Sequence, residues 1–276
     1  MSEVTASLVK ELRDKTGAGM MDCKNALVES NANIEEAIDW LRKKGISGAE
    51  KKSARVAADG VITVSVNNEA ASLVEINSET DFVSRNAEFQ KLVRSILDLT
   101  LSNFSNKDEI IKQSTDLINE AVAKIGENIV FKRYECIEGN VFSYIHNSAG
   151  EGLGKIGVLV DLDTELENAN EVGKNMCMHI AALNPVSISK NDFDLNLIES
   201  EKDIIKQQLK DSGKSDDILA KMMNGKISKF INENTLLGQK FAIDPSVSVS
   251  EYLDKISKEK NVNISIKKFI RFEIGS

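Results

Sequence analysis

The chain has 276 residues, with 35 Lys and Arg against 43 Asp and Glu for a formal charge of −8, and 41% apolar and 28% charged residues. At about 150 residues per domain, that length holds one large domain or two to three small ones, with a core that needs no disulfide or metal staple. The balance excludes a disordered tail, argues against nucleic acid as main ligand for want of a basic face, and leaves no apolar run near the roughly 18 residues of a membrane span.

The opening MSEVTASLVKELRDK is charged within three residues and lacks an apolar h-region, so no signal peptide and a cytoplasmic location are expected. Residues 4 to 45 read as three short helices. Val4, Leu8, Val9 and Leu12 form the first apolar face, and Gly17 stops it. Met20, Met21, Ala26 and Leu27 form the second. Asn33 with Glu36 is a capping-box pattern ahead of Ile34, Ala37, Ile38 and Leu41, and Gly45 is expected to end the third helix. The result is a small bundle with a thin core.

The basic, Ala-rich GAEKKSARVAADG reads as a connecting helix. The period then changes to two: Val61 to Asn67 and AASLVEIN alternate around an Asn67-Asn68 turn, which makes a hairpin. A helix from about Phe82 to Leu101 carries Phe89, Leu92, Val93, Ile96 and Leu97 on one side, and another from about Lys107 to Ile125 ends at Gly126. NIVFKRYECI returns to strand character. A similar order then recurs, with strands VFSYIH and IGVLVDLD around a glycine-rich loop, a helix from about Ala169 to Leu183, and the closing strand NISIKKFIRFEIG. These are two α+β units of one plan, each a small antiparallel sheet covered by helices. Between the second helix and the last strand, Leu197 to Ile231 reads as an inserted αα-hairpin on a Ser212-Gly213-Lys214-Ser215 turn, its narrow apolar stripe suited to coiled-coil-like pairing.

Several motifs invite a chemical reading and fail on mechanism. Gly152-x-Gly154-x-x-Gly157 matches a dinucleotide fingerprint as a string, but it leads into a strand, and phosphate binding requires a helix N-terminus there. Gly213-Lys214-Ser215 resembles the end of a P-loop, yet the glycine five residues earlier is replaced by Gln208. No nucleotide binding by the chain itself is expected. Cys23, Cys136 and Cys177 are far apart and odd in number, and are expected to be buried or half-buried thiols. Cys177 and His179 stand two apart on a helix and face different ways; His179 reads as a core or boundary histidine, and His146 as an exposed one. Nothing assembles a catalytic or metal site, and no cofactor is implied.

The sequence Ser78-Glu79-Thr80-Asp81-Phe82-Val83 stands out. Thr80 or Asp81 can N-cap the helix that follows, and Phe82 can be a core-facing first-turn residue. An acid and an aromatic at a strand-helix junction can equally form a protruding wedge. Both readings stand on the residues alone.

VKELRDKTGAGMMDCKNAL, SETDFV, KIGENIVFKR, YIH with IGVLV after it, MHIAALNP and FIRFE occur in the order of bacterial elongation factor Ts, and the chain resembles that family over nearly its whole length. The resemblance implies a guanine-nucleotide exchange factor for the GTPase elongation factor Tu. It implies an α+β fold in four parts: a ubiquitin-associated-like three-helix module over 1–50 with a connector to about 58, one core subdomain over 59–140, a second over 141–184 and 233–276, and a helical-hairpin insertion over 185–232. In the family, Thr80, Asp81, Phe82 and Val83 would displace Mg²⁺ from the GTPase. Leu12, Met20 and Met21 would dock the N-terminal module, Tyr144 and His146 would contact another part of the partner, and the hairpin, residues 197–231, would form a homodimer. Two other classes remain beside this: an adaptor acting through the three-helix module, and an enzyme with an unrecognised site. Accelerated GDP loss from a GTPase, with no turnover by the chain alone, separates the first from both.

Overall fold

The computed structural model describes residues 4–67, 70–209 and 215–276. It divides by contacts into two units: Met1–Cys136 with Ile145–Gly157 and Phe272–Ser276, and Ile137–Tyr144 with Val158–Arg271. The architecture is α+β, with helices and antiparallel strand pairing in one chain.

The first unit opens with α1 (Ala6–Thr16), α2 (Met20–Glu29) and α3 (Ile34–Lys52). Gly17 caps α1 with a left-handed φ of 66°, and Asn33 accepts hydrogen bonds from the Glu35 and Glu36 amides at the start of α3. Glu36 completes that cap by accepting from the Asn33 side chain instead of from a backbone amide. Leu12, Cys23, Ala26, Leu27 and Ala37 are the buried centre of these helices. That core is as thin as the periodicity suggests.

Gly45 does not end the third helix. The chain stays helical to Lys52, and a Cβ at Gly45 would sit 3.3 Å from that of Ala123 in α5 (Lys107–Ile125). Glycine there lets two helices approach. Of the expected connecting helix only residues 48–52 are helical, as the end of α3, while 53–58 are not helical and Asp59 and Gly60 already belong to the first strand.

β1 (Asp59–Val66) and β2 (Ala70–Ser78) pair antiparallel with Val61 opposite Ile76; the expected turn at Asn68 lies outside the described residues. A 3-10 turn, Asp81–Arg85, precedes α4 (Ala87–Ser102). Phe89, Leu92, Val93 and Ile96 of α4 pack on Val61, Val74 and Ile76, and α5 packs on α4. β3 (Ile129–Glu138) joins the other side of β2, and a two-residue strand, β5 (Leu153–Gly154), joins β1, giving the order β3-β2-β1-β5. This short strand was not expected from the sequence. Glu75 in β2 is buried and accepts a hydrogen bond from Arg133 Nε at 2.6 Å.

The second sheet has the order β4-β6-β7, from β4 (Val141–His146), β6 (Ile156–Thr164) and β7 (Ile264–Glu273). In the second unit, α6 (Asn170–Leu183) buries Val172, Met176, Cys177 and Ile180. α7 (Leu195–Leu209) and α8 (Asp216–Asn234) pack together, with Phe193 against Phe230 at 5.8 Å, so the start of one meets the end of the other. The expected glycine turn between them falls on residues 210–214, outside those described. A further helix, α9 (Val249–Lys260), was not read from the sequence, although Ser248 and Glu251 form its capping box and Val249 and Leu253 are its buried face.

Candidate functional site

The junction between β2 and α4 is built around residues 79–85. Upstream, Asp59 at the start of β1 pairs with Ser78 in register, receives a hydrogen bond from Lys155, and accepts the Asn77 side chain at its carbonyl. Partial burial pushes the Asp59 carboxyl up, but the Lys155 bond and charge and the Gly60 amide outweigh it and hold the group below the usual range. The strand end is thereby fixed before the loop begins.

The loop itself is bonded to the turn after α5. Thr80 donates its amide to Glu127 Oε2 at 3.0 Å and its hydroxyl to Glu127 Oε1 at 2.7 Å. Glu79 accepts the Asn128 amide at 2.6 Å and pairs with Arg55 at 3.4 Å. Thr80 is therefore not a helix N-cap through its side chain. Asn86 takes that role for α4, accepting from the Glu88 and Phe89 amides. Within the turn, Val83 and Ser84 are buried, and Ser84 Oγ donates to the Asp81 carbonyl at 2.6 Å.

Between these anchors Phe82 is 78% exposed and Asp81 is also exposed. Of the two readings of Phe82, the core-facing one is overturned. The residue that enters the core from this turn is Val83, which packs with Phe89 and Leu92. Thr80 and Val83 anchor the turn, and Asp81 and Phe82 are presented by it.

The other expected contact residues fall in two places. Met20 and Met21 open α2 and are 61% and 65% exposed. Thr16 donates to the Leu12 carbonyl at 2.7 Å and Cys23 to that of Ala18 at 3.7 Å, so the loop before them is tied to the helices on both sides. Leu12 is fully buried beneath it and has no surface to offer a partner; its apolar side chain is taken up by the bundle core. Tyr144 is half-buried on β4, and His146 is exposed at the end of that strand.

The glycine motif has a packing explanation. A Cβ at Gly154 would collide with Ile145 Cγ2, and one at Gly157 with Ile62 Cγ2, so these positions are kept bare by the strands that cross them. His179 is fully buried; it accepts the Ala242 amide at Nδ1 (3.1 Å), so Nε2 carries the proton and donates to Gln239 Oε1 at 2.9 Å. Burial lowers its pKa, with the Gln239 bond opposing, and the ring is a structural histidine. Cys23 and Cys177 are buried and Cys136 half-buried, as expected. Burial pushes the Cys177 thiol up to about 12. Among the described residues no group of three His, Cys, Asp or Glu side chains could hold a metal, and no helix is long and apolar enough to cross a membrane.

The chain is α+β and carries a clamped loop tipped by an exposed phenylalanine. The sequence pattern of the family Elongation factor TS matches residues 79–276, beginning at the clamped loop itself. Elongation factor Ts of Paracoccus denitrificans (strain Pd 1222) is 48% identical over 256 residues, covering 90% of this chain and 86% of the relative. That of Agrobacterium fabrum is 43% identical, covering 100% of this chain and 94% of the relative, and that of Brucella anthropi 45%, covering 99% and 93%. The chain belongs to the elongation factor Ts family, and with it to the elongation factors of protein biosynthesis.

Proposed function

We propose that this chain is the guanine-nucleotide exchange factor of translation elongation, binding the GTPase elongation factor Tu, weakening its hold on Mg²⁺ and GDP, and so allowing GTP to reload. Family membership supports the role, and one observation supports the mechanism: a phenyl ring held 78% in solvent by a loop bonded on both sides. Exchange requires tighter binding to the nucleotide-free GTPase than to its GDP form, and by linkage GDP weakens factor binding by the same ratio. Phe82 supplies that difference when its pocket exists only after the Mg²⁺ and phosphate region has opened, with Asp81 adding polar contacts beside it.

In this reading α1–α3 are a ubiquitin-associated-like docking module using Met20 and Met21, the two sheets are the two core subdomains, and Tyr144 and His146 contact a separate part of the partner. The α7–α8 hairpin is an insertion that pairs with a second copy, and Ile204 and Ile218, each about half exposed, are apolar groups for that contact. The chain acts in the cytoplasm without a cofactor and binds neither nucleotide, nucleic acid nor membrane itself.

The deciding experiment is release of a fluorescent GDP from elongation factor Tu, mixed with the full chain at rising concentration. Saturable acceleration, with no turnover by the chain alone, is expected; unchanged release refutes the proposal. For the hairpin, sedimentation at tens of micromolar should give a dimer that Ile218→Lys dissociates, and a monomeric parent refutes self-association.

A further inference from the structure

Glu127 is drawn into none of the roles above, yet both of its carboxylate oxygens are committed to one residue of the presenting loop. Its place is set by the end of α5. Gly126 caps that helix with a φ of 89°, and a Cβ there would meet nothing within 4 Å, so the left-handed turn and not lack of space calls for glycine. The turn brings Glu127 to the loop 47 residues earlier in sequence, where it accepts both the amide and the hydroxyl of Thr80. The next amide, that of Asn128, is donated back to Glu79, and the Asn128 side chain donates to the Arg55 carbonyl at 2.7 Å. Two consecutive residues of the turn thus hold two consecutive residues of the loop.

Bonds to an ionised acceptor are stronger than those between neutral groups, and the clamp ends one peptide before Asp81. On the other side the buried Val83 and Ser84 fix the chain, and Gln90 Nε2 donates to the Ser84 carbonyl at 3.1 Å. Only Asp81 and Phe82 are left projecting between two fixed points. A loop that had to be ordered on contact would lose backbone entropy in the step that matters; one already ordered does not.

We propose that Glu127 is a positioning residue for nucleotide exchange, holding Thr80 so that the Phe82 ring is presented in its working direction before the partner arrives. The proposal rests on the reading of Phe82 as the wedge. It places part of the exchange machinery at the end of α5, outside residues 80–83.

The test is a double-mutant cycle on the full chain, reading maximal release of fluorescent GDP from elongation factor Tu. Glu127→Ala is expected to lower the maximal rate about tenfold with half-saturation little changed, and to raise hydrogen exchange at the Thr80 amide. Glu127→Gln keeps an oxygen for that amide and should restore most of the rate. In the Phe82→Ala background, Glu127→Ala should cost nothing further, because a misdirected wedge and an absent wedge are equivalent. If Phe82→Ala slows exchange and Glu127→Ala adds its full loss on top, or has none of its own, Glu127 is not positioning Phe82 and the proposal is overturned. If Phe82→Ala exchanges at full rate, the wedge reading falls first and takes this one with it. Should Glu127→Ala fail to fold, Thr80→Val, which removes only the 2.7 Å hydroxyl bond, is read the same way. A loss that vanishes without Phe82 supports the clamp, and an unchanged rate or an additive loss overturns it.

Discussion

Phe82→Ala and Val83→Ala should separate function from stability at adjacent positions. Burying a whole phenyl side chain is worth about 1.5–3 kcal/mol, and 78% of Phe82 is still available to be buried by a partner. Roughly three quarters of that range centres near 1.7 kcal/mol. At 1.36 kcal/mol per decade this is about a 20-fold loss of maximal exchange. Removing an exposed ring should move the chain's own stability by no more than about 0.5 kcal/mol. Val83 is 5% exposed and packed with Phe89 and Leu92, so its truncation should cost about 1–2 kcal/mol of folding. Stopped-flow release of a fluorescent GDP, with and without a Mg²⁺ chelator, measures the functional arm, and urea unfolding measures the other. With Mg²⁺ already removed the wedge has less to accomplish, so the Phe82→Ala deficit should shrink. An equal deficit in both conditions would make Phe82 ordinary docking surface. A fall in its unfolding midpoint comparable to that of Val83→Ala would contradict its exposure.

Met20→Ala with Met21→Ala should raise the factor concentration needed for half-maximal exchange while sparing the saturated rate, since both side chains are largely exposed and lie on the three-helix bundle; the reverse pattern rejects docking. Arg133→Met leaves the Glu75 carboxylate buried without its partner and removes the bonds that Arg133 makes to the Glu273 carbonyl and Ser276 Oγ. With Arg133 itself partly solvated, a loss of about 2–3 kcal/mol is expected in urea, and the double variant Glu75→Leu/Arg133→Met should be the more stable of the two. His179→Phe removes the partner of the Ala242 amide and of Gln239 and should cost about 2–3 kcal/mol at pH 7.5. Because the folded-state pKa of His179 is lowered, the unfolded chain takes the proton first. The parent's stability from this group is therefore complete above about pH 6.5 and declines as the pH falls below it, and the variant should lack that slope.

How much of this was legible from sequence depends on the range of the interaction. The face of α4, the glycine cap of α5 and the β1–β2 hairpin rest on spacings within one element or between neighbours, and all are present. At Gly45 the local stop signal is overridden by close approach to Ala123, which lies in another helix. The acid at Glu75 is tolerated inside a fully buried strand because of an arginine 58 residues further on. α9 is a different case: its capping box and its i, i+4 pair of Val249 and Leu253 are local, and the signal was available. At the site, the string of Thr80 to Val83 located the loop, whereas the clamp from Glu127 could not be read, since no local pattern joins positions 47 apart.

The direction of Phe82 follows from where the long helix begins. Were residues 82 to 101 one α-helix, Phe82 and Phe89 would be seven apart, about 20° short of two full turns, and Phe82 would lie on the same buried stripe as Phe89, Val93 and Ile96. The core-facing reading depends on that continuity. The chain breaks it at Asn86, whose backbone is extended (φ −75°, ψ 129°) and whose side chain starts α4 afresh. The preceding 3-10 turn winds at three residues per turn, so adjacent side chains are roughly 120° apart. When Val83 is turned into the core, Phe82 cannot follow it. An asparagine that resets the helix, a valine that anchors the turn and a glutamate that holds its entry thus leave an apolar ring in water, a solvation cost that contact with a partner removes.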